Sequence, residues 1–273
     1  MAAFLITLWV YWPCVHHEFL HWDDQENFIR NDRFRGLGPR HLWWMFTTTH
    51  MGPYQPISWI TLGLDYCIWG MDPRGYHLTN IAVHSINAGL MVWVTASVFG
   101  AWWRGRPVLR KRDDAEGDGP PAQEAPPRSP IRTEEPSLCP VSTEGDGSGA
   151  PAHWAMAAGA LLAGIFWANH PQRVESVAWV TERRDVMCGL FYLLCIGAYL
   201  RSHEPGRSEG RRDGWRFASQ VCCLLALLSK ATAVSLPVVL LVLDVYPLGR
   251  LSAPLRQWFR PPQRAVFTEK LSY

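Results

Sequence analysis

The chain has seven cysteines but no CxxC pair and no metal-ligand spacing among them, so no metal centre is expected. Cys14, Cys67, Cys139, Cys188, Cys195, Cys222 and Cys223 read mostly as small apolar fillers of helices. The N-terminus lacks both a basic region and a small-residue cleavage site, which argues against a cleaved signal peptide. No period of about 34 residues is visible, nor an internal repeat of the kind many transporters carry. The formal net charge is only +2, and no nucleic-acid partner is expected.

What is present is apolar sequence gathered into blocks. The overall apolar content of 48% matches an ordinary soluble protein, but a polar stretch after Arg104 pulls that mean down. Many of the 15 tryptophans stand at block edges (Trp9, Trp12, Trp93, Trp102, Trp103, Trp154, Trp167, Trp215), where an amphipathic indole suits the headgroup layer. The chain therefore reads as an all-α multi-pass membrane protein. About six spanning segments are expected, at 1–15, 76–101, 153–169, 186–201, 215–230 and 232–247. The first is short for a span and reads as one with a lost or misassigned start.

Placing the N-terminus inside puts 102–152, 202–214 and 248–273 in the cytoplasm, each basic beside the membrane. The loop 16–75 and the connection 170–185 then face outward. The organisation expected is two spans with a catalytic-type outer loop (1–103), a disordered cytoplasmic linker (104–152), four further spans (153–247) and a basic cytoplasmic tail (248–273). The linker is rich in Pro, Gly, Ser and Glu and cannot bury enough apolar surface to offset ordering entropy. The outer loop differs: "GPRHLWWMFTTTH" and "QPISWITLGLDYCIWGMDP" predict short interfacial helices able to roof a cavity.

Three groups of polar residues carry the chemistry. "HWDDQENF" sets Asp23 and Asp24 just beyond the first apolar block, where they read either as reactive acids or as a cap of a short helix near Gln25. "HLTNIAVHSINAGL" places His77, Asn80, His84 and Asn87 along one helical stripe, either bonding helices together or lining a cavity. If the sequence from Val174 is continuously helical, Glu175, Trp179 and Arg183 lie on one side. Arg183, Arg184 and Lys230 stand at outer ends of spans, against the positive-inside bias, which suggests an anion to be met; arginine's planar fork suits a phosphate. His16, His17 and His21 near the acids match no strong ligand pattern.

Four stretches in order, "WDDQENFIRN", "YQPISWITLGLDYCIWGMDPRGYHLTNIAVH", "NHPQRVESVAWVTERRDV" and "SKATAVSLPVVLLVLDVYPLGR", resemble the N-terminal membrane region of bacterial relatives of the transmembrane and tetratricopeptide-repeat O-mannosyltransferases, in the GT-C glycosyltransferase superfamily. The resemblance covers nearly all of the chain except the linker. It implies a GT-C-like helical bundle and an inverting glycosyltransferase. A sugar, mannose-like, would pass from a polyprenyl-phosphate donor to a hydroxyl acceptor such as Ser or Thr of a protein. No cofactor beyond that lipid-linked sugar is expected, and the active site would face outward from a bacterial inner membrane. By position, Asp23 and Asp24 match the loop acids, and His77 and Asn80 the opening of the second span. Glu175, Arg183 and Asp185 match the HP-x-x-x-E-x(7)-R-x-D pattern, with Glu175 grouped with the catalytic acids and Arg183, Asp185, His77, Asn80 and Lys230 with the donor site. Lys230 matches a basic residue often followed by Glu, whereas Ala231 follows here. The ending "FTEKLSY" reads as that of a truncated product, so a non-catalytic membrane scaffold remains an alternative, with a lipid or solute transporter third.

Overall fold

The computed structural model describes residues 1–116, 153–251, 258–261 and 263–273, with side chains from 105 to 116 and that of residue 153 left aside. The described residues are helical throughout, with no strand among them. The helices are α1 (Ala2–Tyr11), α2 (Pro39–Thr47), α3 (Pro56–Trp69), α4 (Pro73–Glu116), α5 (His153–Ala168), α6 (Arg173–Ala178), α7 (Arg183–Ser202), α8 (Glu209–Leu227), α9 (Leu236–Val245) and α10 (Gln263–Glu269). Each of the six apolar blocks contains a helix. Two, Pro73–Arg104 and Val180–Ser202, are long and apolar enough to cross a membrane; Ala2–His16, Trp154–Ala168 and Ala231–Val245 are apolar but shorter. α4 runs on to Glu116, past the boundary expected at 103, and the expected linker from 117 to 152 lies outside the described residues.

α4 is the organising helix. Ala3, Ala88 and Ala168 bring α1, α4 and α5 together through small side chains. At Gly164 a Cβ would lie 2.4 Å from the Val92 side chain and 3.2 Å from the Ala88 carbonyl, so glycine is what lets α5 close on α4. α1 presents Ala3, Thr7 and Tyr11 inward at intervals of four. α7, α8 and α9 complete the bundle around Leu193, Cys195, Ile196, Tyr199, Cys223, Ala226, Leu236 and Leu240.

The loop 16–75 is folded on an aromatic core of its own. Phe28, Phe34, Met45, Trp59, Leu62 and Tyr76 pack with Val180, which draws the turn before α7 into the loop. Both short helices expected there form. Each begins with a proline in its first turn, where the missing N–H is not needed, and α3 stops at Gly70, whose φ of 61° suits glycine. Between Gln25 and Ile29 the chain makes a wide helical turn closed by Arg30 N to Gln25 O at 2.9 Å.

Candidate functional site

One end of the bundle gathers the 16–75 loop, the 169–182 connection and the 228–235 turn. Their contact is direct: Ile57 N donates to the Leu228 carbonyl (3.3 Å), and Asp24 reaches the turn before α7. Asp24 Oδ1 accepts from Thr181 N (3.2 Å) and Thr181 Oγ1 (2.5 Å), while Oδ2 accepts from Leu20 N (2.9 Å). The carboxyl is fully buried, and burial pushes its pKa above the ordinary value, although the Thr181 and Leu20 bonds pull the other way. Asp24 does not cap the Gln25 turn with its side chain. Asp23 is half-buried, has no hydrogen-bond partner among the described residues, and lies within electrostatic reach of Arg184.

Arg183 sits two residues beyond Thr181 but points inward, fully buried. Its Nη2 donates to Asp65 Oδ2 (2.7 Å) and to the Tyr76 carbonyl (2.9 Å), and its Nε donates to Asn80 Oδ1. Asp65 is further held by Thr79 Oγ1 at 2.8 Å. The expectation that Arg183 lies on one side of a continuous helix with Glu175 is corrected, because the helix is not continuous. α6 ends at Ala178, Trp179 is extended, and a short 3₁₀ turn over Val180–Glu182 restarts the chain into α7. Glu175 stays exposed and lines a recess of about 480 Å³ with Leu20, His21, Trp22 and Trp179.

Asp185 and Lys230 are brought together as an ion pair, with Lys230 also 3.4 Å from Glu182. Glu182 in turn holds Arg184, and Asp185 Oδ2 accepts from Ser176 Oγ at 3.0 Å. The polar stripe of α4 works mainly between helices. Asn80 donates to the Val177 carbonyl (3.2 Å), His84 bonds the Ala168 carbonyl (2.9 Å), and Asn87 donates to the Val186 carbonyl (2.8 Å). His77 is buried with its ring edge-on to His17 at 6.0 Å.

Behind the Lys230–Asp185 pair opens a cavity of about 520 Å³. Its polar wall is Arg173, Asp185, Lys230, Thr232 and Ser235; its apolar wall includes Met91, Val94, Trp167, Leu193 and Ile196. From Asp185 to Ile196 along α7 is roughly 16 Å at 1.5 Å per residue, so charge collects at one end and hydrocarbon lines the other. Such a site can hold an anionic head with an apolar tail.

Sequence reading missed Asp65, Thr181, Glu182 and Arg173. The first three act through partners far apart in the chain: Arg183, Asp24 and Lys230. Arg173 carried a local signal, since it lies six residues after Trp167 and stacks on that indole at 4.6 Å.

No family model matches the chain, and no solved structure matches it. Curated relatives do. The chain is 24% identical over 211 residues to protein O-mannosyl-transferase TMTC2 of Homo sapiens, covering 76% of this chain and 19% of that protein. Against protein O-mannosyl-transferase TMTC4 of Homo sapiens identity is 24% over 241 residues, covering 84% of this chain and 27% of the relative. Against protein O-mannosyl-transferase Tmtc1 of Drosophila melanogaster it is 24% over 238 residues, 84% and 21% respectively. The chain thus spans between a fifth and about a quarter of the length of these relatives. Over most of its own length it is related, at a distance, to the protein O-mannosyl-transferases.

Proposed function

We propose that this chain is the membrane portion of an inverting glycosyltransferase with a GT-C-like multi-pass bundle. It moves a mannose-like sugar from a polyprenyl-phosphate carrier to a hydroxyl of a protein, on the outer face of a bacterial inner membrane. The observation that carries this reading is the cavity with a charged end, formed by Arg173, Asp185 and Lys230, and an apolar end; Asp24 is bonded to Thr181, four residues before Asp185. The distant relationship to protein O-mannosyl-transferases supports the same chemistry.

The two acids divide the work. Asp24 has both oxygens engaged and fixes the loop to α7, so it is a positioning residue. Asp23 has no hydrogen-bond partner among the described residues and acts as general base. The acceptor hydroxyl gives its proton to Asp23 while its oxygen attacks the anomeric carbon. The bond from that carbon to the phosphate oxygen breaks, and polyprenyl phosphate leaves with the electron pair. Cations at the cavity's charged end offset that charge, so no general acid is required. Glu175, with Trp22 and Trp179 around its recess, faces the acceptor side.

A non-catalytic scaffold draws support from one observation, the engagement of Arg183 and Lys230 by carboxylates. Membranes containing the full chain, supplied with radiolabelled sugar on polyprenyl phosphate, separate the two. Transfer to protein that requires the lipid-linked donor is the expected result. Absence of transfer from that donor, with the chain folded, would leave the scaffold.

A further inference from the structure

The cavity behind Asp185 holds two cations, and they are not equivalent. Lys230 is paired with Asp185 and lies 3.4 Å from Glu182, so its charge is already matched. Arg183 is fully buried against Asp65 and does not line the cavity. Arg173 is half-buried, lines the cavity, and has no carboxylate within ion-pair distance among the described residues. Counting the charged groups of the wall, Arg173 and Lys230 against Asp185 leave one positive charge, and it belongs to Arg173.

Arg173 is also held in place before any ligand arrives. Its guanidinium lies over the Trp167 ring at 4.6 Å, and His84 stacks on the same indole at 5.7 Å. His84 is fixed in turn by the Ala168 carbonyl (2.9 Å), which also accepts from Tyr11 OH (3.2 Å), so α1, α4 and α5 together set the platform. A guanidinium that stacks by its face keeps its edge donors free for two parallel hydrogen bonds to a phosphate. Leu193 and Ile196 run away from that head along α7, beside Met91 and Val94.

We infer that Arg173, seated on Trp167, is the residue that selects a phosphate monoester or diester carried on an isoprenoid chain, and that Lys230 serves mainly to neutralise Asp185 and Glu182. This rests on the proposed donor and assigns its phosphate to a residue other than Arg183. Specificity then comes from two sources at once: the edge of Arg173 for the charge and the apolar wall for the chain.

The test is binding of sugar-free polyprenyl phosphate to the full chain in detergent, beside neutral polyprenol of the same length and inorganic phosphate. The wild type should prefer polyprenyl phosphate to polyprenol. R173A should lose about 10- to 100-fold of affinity for the phosphate form while binding polyprenol unchanged, and R173K should recover part of the loss. W167A should weaken phosphate binding with Arg173 still present. Equal preference in R173A and wild type overturns the assignment, and inorganic phosphate competing as well as the lipid overturns the isoprenoid part of it. Sugar transfer measured on the same variants keeps the two readings apart. Transfer that ignores R173A sinks the inference alone, whereas Arg173-dependent lipid binding without transfer sinks the glycosyltransferase reading alone.

Discussion

Replacing Arg183 with methionine removes a guanidinium that the bundle has enclosed. The side chains of Arg183 and Asp65 are 0% and 4% exposed and meet at 2.7 Å, so the variant leaves the Asp65 carboxylate buried with no cation and takes from the Tyr76 carbonyl and Asn80 Oδ1 the donor they shared. Breaking a buried pair from one side costs about 3–5 kcal/mol, whereas replacing both partners by apolar groups of similar volume is often close to neutral. R183M should therefore lower the unfolding midpoint by about 10 °C, with D65L/R183M recovering most of that loss. The assay is tryptophan fluorescence during thermal unfolding of the full chain in detergent, read together with lipid-phosphate binding. R183M with wild-type stability but abolished donor binding would refute the structural role and return Arg183 to the donor site.

Two further results follow from other buried charges. Burial raises the Asp24 pKa above the ordinary 3.8, so the folded state holds this proton more tightly than the unfolded chain. The contribution of this group to stability is fully present below that ordinary value and declines as pH rises through the raised one. Unfolding free energy measured across pH 3.5 to 7 should lose this acid-side component in D24N, and identical pH slopes in both proteins would count against it. At the opposite end of the bundle, Lys270 Nζ lies 2.9 Å from Asp244 Oδ2 and donates to Tyr199 OH at 2.6 Å, tying the C-terminal segment to α7 and α9. Because Arg250 still reaches Asp244 at 2.9 Å, K270A should cost only about 1–3 kcal/mol. It should show as faster proteolysis of residues 263–273, and an unchanged cleavage rate would contradict the tie.

The helices were legible because apolar blocks are a property of neighbouring residues. Gly and Pro mark where α2 and α3 begin, and both stand out in the sequence. The break at Trp179 did not: "VESVAWVTERRD" has no Gly or Pro, and its periodicity reads as one helix. What stops it is tertiary, because Asp24 binds the backbone and hydroxyl of Thr181 from 157 residues away. The same break turns Arg183 inward to Asp65, 118 residues distant, and leaves Glu175 in a different recess. Lys230 is legible as a cation at a helix end and Asp185 through the family resemblance, but their pairing and the freedom of Arg173 emerge only from the fold.

The proposed sugar transfer turns on base catalysis by an acid in the 16–75 loop. Its most direct test is the single-turnover rate of transfer from labelled polyprenyl-phosphate sugar in membranes, for wild type and D23N at equal folded protein. Loss of a general base should slow D23N by about 100- to 10,000-fold with donor binding retained. A D23N rate equal to wild type would rule out Asp23 as the base.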